Sequence, residues 1–135
     1  MGINSGDAII TCQMTYKTSV MATINITVIE IVSHVYTINI TGSATVKSGQ
    51  SQSYVAHFYD NGTEVFDKSA VWTIRNQDGT TVSAYATITN STGNGVAVKA
   101  SVSTAHINKY IVLKATLSDD SNVFKEFTIQ VKSLI

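Results

Sequence analysis

Three histidines and one cysteine are the side chains of this chain that most readily perform chemistry near neutral pH. His34, His57 and His106 fall on different predicted strands or connectors, and no Glu or Cys lies at metal-ligand spacing from them. His57 follows the polar side of an alternating segment, which predicts that it points to solvent. The spacing favours three separate side chains over a catalytic or metal-binding cluster.

A second candidate group is Asp119, Asp120 and Asn122, because hard cations such as Ca²⁺ prefer clustered oxygens. These residues occupy the Asp-Asp-Ser-Asn segment that separates the last two predicted strands. Neighbouring side chains diverge in such a turn, so a solvated turn is favoured and a calcium site is the alternative. The Gly-x-Ser-x-Gly elbow of serine hydrolases does not occur in the sequence. We therefore predict a protein with no catalytic residues, no cofactor and no enzymatic activity.

The balance of charges narrows the classes of partner. Nine basic and nine acidic side chains cancel, and neither sign is concentrated at one end. A neutral surface gains little from releasing counterions, which argues against nucleic acid and anionic membranes. The longest apolar stretch, residues 24–40, is interrupted by polar and charged residues, so no membrane insertion is expected. The single cysteine, Cys12, excludes a disulfide within the chain.

Alternation of apolar and polar residues predicts an all-β fold. Thr, Val, Ile and Ser are abundant and proline is absent, so Gly, Asn and Asp must form the turns. An amino-terminal hairpin is predicted around Lys17–Ser19, and further strands follow at 36–40, 54–58, 70–74, 82–84, 86–88, 96–100, 111–117 and 123–131. This series is typical of an antiparallel sandwich of about seven strands. Its expected core contains Tyr54, Phe58, Trp72, Leu113, Leu117, Phe127 and Ile129.

An internal repeat is the most informative pattern in the chain. A shift of 103 positions, which brings Val28 onto Val131, superimposes the first predicted hairpin on the last without a gap. The apolar positions that coincide are Ile10 with Leu113, Cys12 with Ala115, Met14 with Leu117, Val20 with Val123, Ile24 with Phe127, and Ile26 with Ile129. This match predicts that residues 1–32 are the closing hairpin and linker of a preceding repeat. Residues 33–135 then form a complete domain.

Three segments resemble the bacterial immunoglobulin-like domains of surface adhesins and bacteriophage virion proteins. The stretch SGQSQSYVAHFYDNGTEVFDKSAVWTI is similar to the second and third strands of that family, with Trp72 between the sheets. YIVLKATLSDDSNVFKEFTIQV resembles its final hairpin, and GDAIITCQMTYKTSVMATINITV resembles a second copy of that hairpin. The resemblance implies an immunoglobulin-like β-sandwich preceded by an extra hairpin. Ala56 and Ala115 would then stand where antibody-type domains carry the two bridged cysteines.

The resemblance implies a non-catalytic structural or adhesion module of a phage head or tail protein. Such a module acts as a spacer or decoration on the virion surface, beside other virion subunits, with weak binding to host cell-surface polysaccharide. The alternative is a repeat of a bacterial surface adhesin, or an accessory domain of a secreted enzyme, at the cell surface or outside the cell.

The predicted amino-terminal hairpin provides a candidate assembly face. This face consists of Ile10, Cys12, Met14, Ile24, Ile26 and Val28. A two-stranded hairpin alone is marginally stable, and an apolar face with open edges promotes association. We expect it to pack on the complete domain, or to form a homo-oligomer by pairing with a second chain.

Overall fold

The computed structural model describes residues 6–17, 19–29, 31–79 and 82–135, and the chain divides into two compact units between His34 and Val35. The sequence placed this boundary two residues earlier. Among the described residues, no helix has the length and apolar character needed to cross a membrane.

The first unit is a β-hairpin. Strand β1 (Gly6–Gln13) pairs antiparallel with β2 (Met21–Val28), and Ile10 lies opposite Ile24. One further hydrogen bond, from the amide of Met14 to the carbonyl of Val20 (3.1 Å), extends the ladder toward the turn. The hairpin therefore forms where the alternation predicts it.

The second unit consists of two sheets. Its strands are β3 (Tyr36–Thr41), β4 (Thr45–Lys47), β5 (Ser51–Asp60), β6 (Thr63–Val65), β7 (Ala70–Asn76), β8 (Ala86–Thr92), β9 (Gly95–Ala100), β10 (Tyr110–Leu117) and β11 (Asp120–Lys132), with a 3-10 turn at Thr104–His106. One sheet has the order β4-β11-β10-β7, and the other has β3-β5-β9-β8 with β6 paired to β5. Among the described strand pairs, only β4 and β11 run parallel.

This strand order defines an immunoglobulin-like sandwich. In that fold the first, second, fifth and fourth main strands form one sheet, and the third, sixth and seventh form the other. Here β3, β5, β9 and β8 are the first set, and β7, β10 and β11 are the second. The first strand also continues into β4, which joins the opposite sheet beside β11. The predicted all-β, immunoglobulin-like class is confirmed.

Tyr54 stabilises the segment in which the chain crosses from one sheet to the other. β3 ends at Thr41, and β4 begins at Thr45 in the opposite sheet. Between them, the buried Tyr54 hydroxyl donates a hydrogen bond to the carbonyl oxygen of Ser43 (2.8 Å). Gly42 packs directly on the Tyr54 ring, since a Cβ at Gly42 would lie 2.2 Å from Tyr54 Cδ1. Glycine at this position therefore permits the close approach of backbone and ring.

The observed core contains six of the seven side chains predicted for it. The buried ones are Tyr54, Phe58, Trp72, Leu113, Leu117 and Ile129. Phe127 differs, because it is only partly buried and packs against the core with its ring 5.7 Å from that of Tyr54. Ala56 and Ala115 are both buried, and Ala115 lies opposite Trp72 in the sheet.

Two local predictions are wrong. Residues 82–84 do not form a strand, and Val82 makes only an isolated bridge to Arg75. The Ser83 hydroxyl instead accepts hydrogen bonds from the backbone amides of Tyr85 and Ala86. This local capping competes with a sheet ladder. The last turn is also shorter than predicted. Leu117 pairs with Asp120, and the ladder then shifts, so that Thr116 pairs with Phe124.

Replacing Gly42 with alanine tests the crossing of the sheets. The new methyl group would overlap the Tyr54 ring, at a backbone φ of +156° that L-residues rarely adopt. We expect the free energy of unfolding to fall by about 1–3 kcal/mol, the usual cost of overpacking. The matched control is Gly95→Ala, where the nearest atom is 3.6 Å away and an effect below about 1 kcal/mol is expected. Urea unfolding followed by Trp72 fluorescence measures both, and equal losses would contradict the proposed contact.

Stability at alkaline pH tests the burial of the Tyr54 phenol. Burial raises the pKa of Tyr54 to about 12 from its ordinary 10.0. The pKa is higher in the folded state than in the unfolded state. The stability contributed by the protonated, buried Tyr54 phenol is therefore complete below pH 10 and is lost as the pH rises through 12. The expected loss is about 1.4 kcal/mol per pH unit between those values. The difference between wild type and Tyr54→Phe should shrink accordingly from pH 8 to pH 11.

The control is Tyr110→Phe, which removes a phenol hydroxyl from an exposed side chain. Urea unfolding at each pH gives the free energies. Parallel pH profiles for wild type and Tyr54→Phe would show that the Tyr54 hydroxyl is not buried as described.

Candidate interaction surface

One side of the hairpin is apolar and exposed. We call Ile10, Cys12, Met14, Ile24, Ile26 and Val28 the hairpin face. Alternation and the pairing of Ile10 with Ile24 place the members within β1 and β2 on the same side of the two strands. Ile24 is 60% exposed and Ile10 is 52% exposed, and the thiol of Cys12 is free and exposed. The structure thus places five of the six residues assigned to an assembly face on one side of the paired strands, and Met14 lies just beyond the end of β1.

The hairpin has the same register as the closing hairpin of the sandwich. Ile10 lies opposite Ile24 in the first, and Leu113 lies opposite Phe127 in the second. These are the same positions under the shift of 103 residues. The agreement extends as far as Gln13 opposite Met21, which matches Thr116 opposite Phe124. The two hairpins therefore pair alike until their turns diverge.

The two hairpins differ in what covers them. Of the residues equivalent to the hairpin face, Leu113, Ala115, Ile129 and Val131 are 0% exposed, and Leu117 is 2% exposed. In the first unit every residue of β1 and β2 is exposed. Large apolar patches on a soluble protein usually mark an interaction site. The hairpin face is therefore the candidate functional surface.

The polar side of the hairpin carries large apolar residues at the same positions as the polar side of the closing hairpin, β10 with β11. Ile9 and Met21 are the large apolar residues on that side, and their equivalents under the shift are Val112 and Phe124. Alternation alone does not require apolar residues at these outward positions. One inward position departs from the match, since Ala22 is equivalent to the exposed Lys125.

A contact that sequence spacing did not reveal links three strands of the sandwich. His57 Nδ1 lies 2.8 Å from Glu64 Oε1, and His57 Nε2 lies 3.2 Å from Thr41 Oγ1. A hydroxyl, an imidazole and a carboxylate in this order are the groups of a hydrolytic triad. Here they lie on the outer side of a sheet, with the His57 and Glu64 side chains about a third exposed. Their evident effect is to connect the short β6 to β5 and β3.

The remaining candidate residues do not converge on one site. His106 packs against the Tyr85 ring at 4.9 Å, whereas His34 belongs to the other unit. Asp119 Oδ2 accepts a hydrogen bond from Lys68 Nζ (3.1 Å). Asp120 Oδ1 accepts the backbone amide of Asn122 at 3.0 Å, as expected of a capped turn. Among the described residues, no group of three or more His, Cys, Asp or Glu side chains could hold a metal ion.

A shallow groove of about 330 Å³ lies beside the irregular start of β11. It is lined by Tyr36, Thr37, Ile38, Asn122, Val123, Phe124 and Lys125. Phe124 is 50% exposed, and the Lys114 ammonium lies 4.1 Å from its ring centre. Aromatic rings together with an amide and a hydroxyl are the groups that sugar-binding surfaces use.

No protein-family model matches the chain, and no curated protein matches it. The class of protein therefore follows from the strand order alone, and the likeness to bacterial immunoglobulin-like domains stays a prediction.

Deletion of residues 1–30 tests whether the hairpin face causes association. We expect the intact chain to self-associate as its concentration rises, because large apolar side chains lie beside open strand edges. The truncated chain should stay a folded monomer, since the second unit has its own core. Light scattering over a concentration series gives the masses, and circular dichroism reports folding.

The other outcomes of the deletion are equally informative. A constant monomer mass for both chains would show that the hairpin face does not drive association. Loss of the β-sheet signal after truncation would contradict the assignment of residues 1–32 to a separate repeat.

Proposed function

We propose that this chain is a non-catalytic structural module from a tandem array of bacterial immunoglobulin-like repeats in a bacteriophage virion protein. In this role the sandwich acts as a spacer or surface decoration on the head or tail. Its exposed surface makes weak contacts with polysaccharide on the host cell. The alternative is the same module in a bacterial surface adhesin, or as an accessory domain of a secreted enzyme.

The observation that carries the proposal is the shared register of the two hairpins. A tandem array of such domains would contain one closing hairpin in every repeat. β1 and β2 lie 103 residues before β10 and β11 and pair in the same register, as successive closing hairpins would. Stacked or linked β-sandwiches hold other domains at a distance without any chemical step. The neutral overall charge suits a module whose contacts do not depend on one strongly charged partner.

The groove beside β11 supports the polysaccharide contact. Tyr36 and Phe124 offer aromatic surface, while Thr37 and Asn122 offer a hydroxyl and an amide for sugar hydroxyl groups. A shallow, open groove buries little of a ligand, so single contacts would be weak. A repeated module compensates by presenting many copies, because avidity rises when several sites engage together.

The location of the protein tests the proposal. Antibodies raised against the intact chain should place gold particles on the heads or tails of purified virions in electron micrographs. Antibody absorbed beforehand with the purified chain is the control and should leave the particles unlabelled. Gold on the envelope of uninfected cells would instead support the adhesin alternative. Labelling confined to the cytoplasm of uninfected cells would contradict both.

A further inference from the structure

We propose that the hairpin face is the docking surface for a strand set, meaning the strands of an immunoglobulin-like sandwich without its closing hairpin. The inference deepens the tandem-module function proposed above. It rests on the way in which the equivalent hairpin, β10 with β11, is covered in the complete domain. There the hairpin meets a strand on each outer edge and a whole sheet on its inner side.

The outer edge of β1 calls for an antiparallel strand with a large aromatic residue. In the complete domain β10 pairs with β7, and Ala115 lies opposite Trp72. Cys12 is equivalent to Ala115, so the docking strand should place its aromatic residue opposite Cys12. The sheet of the first unit ends at β1 in the part of the chain that the structure describes. An open edge of this kind accepts a further strand through its backbone groups.

The outer edge of β2 calls for a short parallel strand. In the complete domain β11 pairs in parallel with β4 over Gln130–Lys132. The equivalent segment of the first unit is 27–29. The docking partner must therefore supply an antiparallel strand at one edge and a parallel strand at the other. An immunoglobulin-like strand set supplies both from one chain.

The hairpin face has the composition needed for such a partner. Ile26 and Val28 are identical to their buried equivalents, Ile129 and Val131, and Ile10 replaces Leu113 with the same number of carbons. Volume-conserving exchanges of this kind are tolerated well in protein cores. These three positions therefore match a buried immunoglobulin-like core, whereas Ile24 is smaller than its equivalent Phe127 and Cys12 is larger than its equivalent Ala115.

The sandwich of a second copy is a poorer occupant than an unclosed strand set. In each copy the seven strands β3 to β9 are already closed by its own β10 and β11. Docking a foreign hairpin would expel that pair and expose the apolar side chains that it buries. The exchange yields no net burial of apolar surface, which is what drives association. The occupant is accordingly a strand set whose closing hairpin is missing.

The test supplies that strand set and measures the reactivity of Cys12. In an extended chain, a second copy of residues 35–108 takes the place of residues 1–5 and is joined directly to Gly6. The shift of 103 residues defines this junction. At a concentration where light scattering gives a monomer, the thiol of the original chain should react freely with Ellman's reagent, since Cys12 is exposed. In the extended chain the rate should fall by at least about tenfold, because a buried thiol reacts only when the structure opens.

Two neighbouring substitutions in the extended chain provide matched controls. Ile26→Asp places a carboxylate where the equivalent Ile129 is fully buried, so it should restore the reactivity of Cys12. Asn25→Asp lies on the opposite side of β2, where the equivalent Thr128 is exposed, and should leave Cys12 protected.

Three results would overturn the proposal. They are a reactive Cys12 in the extended chain, protection that survives Ile26→Asp, and an original chain whose Cys12 is already protected. None of these results bears on where the protein is located, so the proposed function would still be judged by the labelling of virions.

Discussion

The pairing of β10 with β11 is the interaction on which the rest of the sandwich depends. β10 joins β11 to β7, and β11 joins β10 to β4, so this pair holds its sheet together. Its register places Leu113, Ile129 and Val131 toward the core, where all three are fully buried. A slip of one residue would turn a whole strand's apolar side chains to solvent. Because burial strongly favours one register, the pairing of these strands can be recognised in the sequence.

Much of the fold was predictable because apolar and polar residues alternate along the strands. Alternation and the Asn-Gly turn signals determine which residues face inward, and Asn61 and Gly62 both adopt the positive φ that such a turn needs. The prediction failed where local hydrogen bonds override alternation, as they do around Ser83. The His57–Glu64 contact was missed for a different reason. It requires β6 to fold back on β5, which places Glu64 opposite Tyr59, and residue spacing alone does not give that register.

The candidate surface was predictable in composition but not in what covers it. The paired residues of the hairpin face share one side because of backbone pleating, which is a local property. Whether such a face is buried depends on residues far away in sequence or in another chain. In the second unit, the equivalent hairpin has the same register and pairs with β7 at one edge and β4 at the other.

The parallel pairing of β4 with β11 has a mechanical consequence. β4 lies near the beginning of the second unit and β11 near its end, and they run side by side in the same direction. A pull on the two ends of the unit draws these strands lengthwise in opposite directions. The hydrogen bonds between Thr45–Lys47 and Gln130–Lys132 are then loaded together in shear, rather than opened one after another as in a peeled hairpin. A domain strained along its length in this way resists extension through a small patch of backbone, whatever its side chains bind.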